Sequence, residues 1–311
     1  MTSHLAAVLR LVQQRAVVEL VDAWRAADIP SMIIKGEATF AALYERGEVR
    51  PTADIDLLIP ASQSAAAQTV LVELGWLPER QLRPGEGARH SSNWRAVRDG
   101  VAVHLDLHTS FHGVRTGGDS AWDIWSRDAV PLSLGSFSVP GPAPATTALI
   151  VAVHRTRALE TSAAATDLRR ALSIFDDGVW QDASQQARLL GCEHAMAAGL
   201  REEPEGVALA ARLCLPEPDL TERLDQRRVD PLAGSLLRAV HVRGVRARTR
   251  LLLGEAFPTR DFLQLVHPYT QRGRVWRLAG RGHRLLSLLY RLPTAVLTLR
   301  RERRRAAEGR G

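Results

Sequence analysis

Asp54 and Asp56 are the first residues of the chain whose types and spacing could support chemistry. In segment 54–59, the apolar residues Ile55, Leu57 and Ile59 alternate with Asp54, Asp56 and Leu58, and this alternation predicts a β-strand. On a strand both carboxylates point to one side, about 7 Å apart, where they repel each other unless a cation neutralises them. Two oxygen ligands on a rigid strand suit Mg²⁺. Taken alone, the pair fits a solvent-facing edge strand better than a metal site, so its surroundings must decide.

A second candidate strand carries further polar residues. Segments 94–97 and 101–107 are predicted to pair around Asp99-Gly100, a dipeptide typical of β-hairpin turns. One face of the second strand is apolar. The opposite face carries three polar residues: His104, Asp106 and His108. By itself this face favours an exposed sheet surface, although it could also form part of a site. We expect no role for His104 or for His90.

Lys35 and Gly36 follow a short apolar run, residues 32–34, that predicts a buried strand. Lys35 is the only lysine, and the other 40 of the 41 basic residues are arginines. A single retained lysine suggests a need for a compact ammonium, as at a phosphate, although it could have survived by chance. Residues 37–45 return to helical spacing, and a strand, turn and helix in this order expose backbone N–H groups to an anion.

The remaining pattern predicts two domains and a tail. Residues 1–140, beginning with a helix over 3–27, form the predicted catalytic domain, and Pro140–Pro144 is the predicted linker. Residues 145–270 form a predicted helical acceptor or accessory domain. Its helices are expected around residues 149–159, 168–175 and 187–198.

The third predicted part is a basic amphipathic helical tail, residues 271–311, whose end we expect to be disordered. It contains 12 arginines against Glu302 and Glu308, a balance of +10, whereas the whole chain carries +7. The first 270 residues are therefore slightly acidic, which excludes a uniformly basic domain. Such a tail can bind RNA, anionic lipid or an acidic partner. A solubilising tail without a specific partner is equally compatible with this composition.

Three features of the sequence predict a cytoplasmic protein. The N-terminus lacks the basic and apolar regions of a signal peptide. No apolar stretch reaches the ~18 residues that span a bilayer. Cys192 and Cys214 lack metal-ligand spacing and fit buried thiols in a reducing compartment.

Together these residues resemble nucleotidyltransferases of the DNA polymerase β type, in particular an uncharacterised bacterial branch of that superfamily. The residues that carry the resemblance are Ile33-Ile34-Lys35-Gly36, Tyr44, Arg50-Pro-Thr-Ala-Asp54-Ile-Asp56-Leu-Leu58 and Asp106-Leu107-His108. The resemblance covers roughly residues 5–270, with His154 and segment 187–191 as weaker support. It implies an α+β fold with a small mixed β-sheet core flanked by helices, followed by an all-helical C-terminal region.

The resemblance also implies an activity. It implies transfer of an NMP group, expected to be AMP, from an NTP to an acceptor hydroxyl with release of pyrophosphate. Asp54, Asp56 and Asp106 would hold Mg²⁺ in a two-metal site, and Lys35, Gly36 and Arg50 would bind the nucleotide. His108 would be an accessory residue that orients Asp106, touches the acceptor or makes a structural hydrogen bond.

Two departures and two alternatives accompany this interpretation. Glu37 follows Gly36 where the superfamily has serine or glycine, and Asp54 lies 18 residues beyond Gly36, which puts phosphate cradling by that turn in doubt. One alternative is a catalytically inactive module of the same fold that binds RNA or a protein partner. The other is a small kinase, which the absence of kinase and Walker motifs disfavours. The sequence leaves the acceptor open among small molecules, proteins and RNA.

Overall fold

The computed structural model contains two compact units. The structure describes residues 3–45, 47–48, 50, 54–79, 90–157, 162–219, 232–233, 236, 239, 244–257, 270 and 273–308. The described parts of 3–79 and 90–217 form one compact unit, and those of 218–308 form a second. The domain boundaries expected from the sequence stay a prediction. The predicted loop over 78–91 lies largely outside the described residues.

A five-stranded mixed sheet forms the centre of the first unit. Its strands in chain order are β1 Met32–Ile33, β2 Ile55–Leu58, β3 Leu77–Pro78, β4 Ser91–Arg98 and β5 Val101–His108. Their order across the sheet is β1-β2-β5-β4-β3, and only β2 and β5 run parallel to each other. The mixed sheet expected from the sequence is confirmed, and so is the hairpin of β4 and β5 around Asp99-Gly100.

Helices cover both faces of this sheet. The helices of the first part of the chain are α1 Ser3–Ala26, α2 Glu37–Leu43, the 3₁₀ turn Ala61–Gln63, α3 Ser64–Glu73 and α4 Ser120–Trp125. Apolar residues of α1 and α3, such as Trp24 and Leu71, pack on one sheet face with Leu57 and Leu105. Side chains alternate between the two faces of a strand. Because the odd-numbered residues of β2 and β5 are buried in this core, their even-numbered residues point to the opposite face.

One hairpin was not predicted. Strands β6 Val130–Leu134 and β7 Phe137–Gly141 pair antiparallel, so Pro140-Gly141 belongs to a strand and not to a linker. Leu134 and Val139 are buried in the same core as the main sheet. Gly135, with φ of +63°, makes the tight turn between them and was an available signal.

Five helices complete the first unit: α5 Pro144–Arg157, α6 Ser162–Ile174, α7 Asp177–Leu190, α8 Glu193–Leu200 and α9 Pro204–Arg212. The single helix predicted over 187–198 is wrong, because helix α7 ends and a separate helix, α8, begins within that range. Gly191 adopts a left-handed conformation with φ of +64° and caps α7, the usual way in which a glycine ends a helix. Leu149 and Val153 of α5 lie in the core with Leu168 of α6.

The second unit contains α10 Val245–Ala256 and the long helix α11 Arg274–Glu308, which has Pro293 in its interior. A small cluster joins Leu232 and Ala233 to Ala295 of α11. The all-helical character expected after the first domain is confirmed for the described residues. Among those residues, no helix combines the length and the apolar character needed to cross a membrane.

Candidate active site

The parallel pairing of β2 and β5 brings the two acidic motifs together. Asp56 lies directly across from Asp106, and Leu58 lies across from His108. Because paired residues on adjacent strands point to the same face, the carboxylates of Asp56 and Asp106 share the face opposite the α1 and α3 core. The two motifs that the sequence predicted separately therefore meet at adjacent positions of one sheet.

Lys35 and His108 both contact the carboxylate of Asp56. Nζ of Lys35 lies 2.7 Å from Oδ1 of Asp56, and Nε2 of His108 lies 2.9 Å from the same oxygen. The Asp56 side chain is only 3% exposed. Burial alone would raise its pKa, but the charge of Lys35 and the hydrogen bond from His108 hold that pKa below its usual range. Asp56 is therefore ionised, and the imidazole donates to it.

The same contact also favours the charged form of Lys35. Burial disfavours its ammonium, but the Asp56 carboxylate, followed by those of Asp54 and Asp106, offsets that cost and raises the pKa of Lys35. Gly36 turns the chain directly after Lys35, with φ of +60°, a conformation that glycine adopts without strain. The predicted pairing of a charged lysine with a glycine turn is thus present in the fold, beside the carboxylates.

Asp106 and Asp54 are in the opposite electrostatic situation. Burial and the neighbouring Asp56 and Asp54 carboxylates raise the pKa of Asp106 to about 6. Burial and Asp56 also raise the pKa of Asp54, which lies just before β2. Nδ2 of Asn93 donates a hydrogen bond of 2.5 Å to Asp106, from the register-paired position on β4. The site therefore has an excess of negative charge, which a bound cation would neutralise.

Asp56, Asp106 and His108 have the geometry of a cation site. Each offers one ligand atom, and these atoms lie within 4.8 Å of one another. The predicted metal set was Asp54, Asp56 and Asp106, so this group contains His108 in place of Asp54. The two carboxylates suit a hard divalent cation such as Mg²⁺ or Mn²⁺, whereas an imidazole is a more usual ligand of transition-metal ions. Nδ1 of His108 has no hydrogen-bond partner among the described residues, so the bond from Nε2 to Asp56 is the contact that places a proton on Nε2.

Arg50, the second predicted phosphate ligand, is held by a residue that the sequence did not suggest. Its guanidinium donates bidentate hydrogen bonds to the carboxylate of Asp167 on α6, with Nη2 2.7 Å from Oδ2. The Tyr44 hydroxyl donates to the same carboxylate at 2.7 Å. Burial and Asp167 raise the pKa of Tyr44 to about 12. The carboxylate that Arg50 contacts is thus Asp167 and not one of the predicted metal ligands.

The segment before Arg50 is also attached to α6. Arg170 donates to the carbonyl of Leu43 at 3.1 Å and forms an ion pair with Glu48. Its guanidinium lies over the Tyr44 ring, 4.1 Å from the centroid. Helix α6 therefore positions the connection between α2 and β2, which carries Arg50.

The histidines other than His108 differ in their surroundings. The ring of His90 lies 6.0 Å from that of His108, centroid to centroid, whereas His104 is half exposed and bonded to Glu79. His154, on α5, is kept neutral near pH 7, because burial and the nearby charge of Lys35 lower its pKa to about 4. We expected nothing of His90, and the structure brings it against the predicted accessory residue.

Two of the residues missed by sequence analysis differ in how they could have been found. Asn93 was within reach, because residues equidistant from the Asp99-Gly100 turn must pair, and this pairs Asn93 with Asp106. Asp167 had no local signal, since it lies 117 residues from Arg50 and belongs to a helix with an ordinary polar pattern.

Several solved structures are similar to this chain at 15% identity. The solution structure of the antibiotic-resistance factor ANT(2'')-Ia has a TM-score of 0.38 and covers 58% of this chain and 95% of its own. The crystal structure of ANT(2'')-Ia in complex with adenylyl-2''-tobramycin has a TM-score of 0.33 and covers 64% and 98%. An antigenic nucleotidyltransferase-like protein from Paracoccidioides brasiliensis has a TM-score of 0.43 and covers 67% and 94%.

Comparison with functionally curated proteins gives no significant match. The family model described as uncharacterised nucleotidyltransferase matches residues 2–202, about two thirds of the chain. This match spans both acidic motifs, Lys35 and α6. The chain belongs to this family and is a nucleotidyltransferase.

Proposed function

We propose that this nucleotidyltransferase moves an NMP group, expected to be AMP, from an NTP to an acceptor hydroxyl and releases pyrophosphate. The observation that carries the proposal is the pairing of Asp56 with Asp106 across β2 and β5, with the Lys35 ammonium 2.7 Å from Asp56. Clustered carboxylates beside a buried lysine suit a divalent cation together with a polyphosphate.

The residues fit separate roles in this reaction. Asp56, Asp106 and His108 would hold a divalent cation, Mg²⁺ in the first instance, and Asp54 would supply a further carboxylate for a second ion. Such an ion neutralises the phosphate oxygens and stabilises the charge that develops during the displacement. Lys35 and Arg50 would bind the phosphates of the NTP and of the departing pyrophosphate.

Asp106 is the best candidate for accepting the proton of the acceptor hydroxyl. In the metal-free site its pKa is raised to about 6, so its carboxylate is ionised near neutral pH and able to accept a proton. The acceptor oxygen would form the new bond to the α-phosphorus, the bond from that phosphorus to the bridging oxygen would break, and pyrophosphate would leave.

Label transfer tests the proposal. The protein is incubated with each α-labelled NTP and Mg²⁺, together with cell extract separated into RNA, protein and metabolite fractions. We expect label in one fraction, strongest with ATP, and none with Asp56→Asn. Asp182→Asn, at an exposed position of α7, is the matched control and should transfer label like the wild type.

Different outcomes separate the alternatives. An unchanged rate in Asp56→Asn would refute the proposed site. NTP binding without label transfer to any fraction would favour the inactive binding module. Measuring Mn²⁺ binding by electron paramagnetic resonance adds an independent readout, because Asp56→Asn should weaken binding even when no acceptor is present.

We infer the remaining features from charge and thiol content. The 12 arginines of the tail suit RNA or another anionic partner. Neither Cys192 nor Cys214 forms a disulfide, which fits a cytoplasmic enzyme. Cys192 is buried as expected, whereas the expectation of a buried Cys214 is wrong, because that residue is exposed.

A further inference from the structure

Helix α11 carries an apolar stripe on its exposed side. The stripe repeats at steps of three and four residues, which places its members along one face of a helix. Its large exposed members are Val275, Leu278, Leu286, Leu289, Tyr290 and Leu297. Leu286 is 68% exposed and Tyr290 is 87% exposed, so these side chains stand in water. Leaving so many large apolar side chains uncovered on one face is costly and marks a contact surface.

The stripe is distinct from the face that α11 uses for packing. Ala295 is fully buried against Leu232 and Ala233, and Leu288 and Leu299 pack beside it. The positions of this packed face alternate along the helix with those of the stripe. The core of this unit therefore accounts for one side of α11 and leaves the other uncovered.

The charge around the stripe has one sign. Between residues 273 and 301 the sequence has seven arginines and no aspartate or glutamate. Arg274 and Arg281 are exposed at one edge of the stripe, and Arg300 and Arg301 are exposed at its C-terminal end. Any occupant of this face must therefore offer apolar surface and negative charge together.

These two demands separate the classes of partner. A second copy of α11 would cover the leucines but would set many arginines against one another, with only Glu302 and Glu308 of each helix to compensate. RNA would neutralise the arginines but would leave the leucines and Val275 in water. An anionic bilayer meets both demands, because apolar side chains enter the boundary of the acyl chains while arginines reach the lipid phosphates.

We propose that α11 lies flat on an anionic membrane surface, with the stripe at Leu286, Leu289 and Tyr290 inserted at the interface. The binding energy comes from two sources. Each exposed leucine gains from burial, and each arginine near the surface contributes about 1 kcal/mol. Binding should therefore require anionic lipid and weaken as salt is raised.

Vesicle flotation with the full chain tests the proposal. We expect co-flotation with vesicles of phosphatidylcholine that contain about a quarter phosphatidylglycerol, and binding about tenfold weaker to phosphatidylcholine alone. The variant Leu286→Glu/Leu289→Glu should bind the anionic vesicles at least about tenfold more weakly. Leu253→Glu changes an exposed leucine of α10, outside the stripe, and should bind like the wild type.

Circular dichroism of both variants shows whether they retain the helical content of the wild type, so that loss of binding can be assigned to the surface. If the double variant folds and floats like the wild type, the proposal is wrong. It is also wrong if the protein ignores anionic vesicles but shifts RNA in a gel, or if light scattering shows a dimer that the double variant abolishes.

Discussion

Replacing Asp106 by asparagine is expected to stabilise the metal-free protein and to weaken its binding of divalent cations. Asp106 is ionised at neutral pH in a site that already contains the carboxylates of Asp56 and Asp54. Asparagine has nearly the same shape but no charge, so it removes this repulsion. The same change removes one negatively charged ligand atom from the group of Asp56, Asp106 and His108.

The size of the effect follows from the pKa of Asp106. In the unfolded chain the pKa is about 3.9, and in the folded protein it is about 6. At 1.36 kcal/mol per pKa unit this gap corresponds to about 3 kcal/mol. Asp106 is only partly buried, so solvent screening reduces the expected gain to about 1–2 kcal/mol.

The sign of the pH dependence is defined by the raised pKa. Below about pH 4 the carboxyl is protonated in both states and costs the fold nothing. As pH rises from about 4 to about 6, the unfolded chain ionises before the folded one, so the wild type loses stability over that window. The advantage of Asp106→Asn should therefore be absent near pH 4 and complete above pH 6.

Urea denaturation in the presence of a chelator measures this difference. Wild type, Asp106→Asn and the control Asp182→Asn are compared at about pH 4 and about pH 7.5, and all three are repeated at about pH 7.5 with Mn²⁺ in place of the chelator. Added cation should stabilise the wild type and the control but stabilise Asp106→Asn much less. Equal stability of wild type and Asp106→Asn at pH 7.5 would refute the electrostatic reasoning, as would a gain of the same size at pH 4.

Three further substitutions, one of them with a matched control, test other parts of the structure. Lys35→Gln should weaken NTP binding about tenfold or more, measured by calorimetry, and equal affinity would exclude a phosphate role. Asp167→Asn should lower the pKa of Tyr44 from about 12 by about 1, because it removes the negative charge that disfavours the phenolate. Ultraviolet titration measures this pKa, and an unchanged value would contradict the assigned role of Asp167. Gly199→Ala should destabilise the protein by about 3 kcal/mol or more, since its Cβ would lie 1.7 Å from a carbonyl oxygen of α5. Gly254→Ala, with open space around its Cβ, should not lower the melting temperature.

Much of the sheet could be predicted because its signals are local. Alternation along 54–59 and 101–108 follows from strand geometry, in which neighbouring side chains point to opposite faces. The Asp99-Gly100 turn then defines which residues of β4 and β5 pair. Gly191 and Gly135 were equally local signals, and attention to them would have ended α7 correctly and predicted the β6–β7 hairpin.

The contacts that organise the candidate site were beyond local reasoning. A structural hydrogen bond was one of the roles expected for His108, but its partner, Asp56 on the adjacent strand, could not be predicted. The contact of the Arg50 guanidinium with Asp167 was not predicted, and the role of Arg50 at a triphosphate stays a prediction. Both outcomes depend on which strands and helices are neighbours.

The sequence by itself determined the chemical inventory of this protein: two acidic motifs on strands, one lysine beside a glycine turn, and an arginine-rich C-terminal helix. Only the tertiary structure decided how that inventory is arranged, including the parallel register of β2 with β5, the attachment of Arg50 to α6, and the outward direction of the apolar stripe on α11. The physical reason is distance along the chain. Local geometry acts over a few residues, whereas the partners of Arg50 and Asp56 are chosen by the packing of elements far apart in sequence.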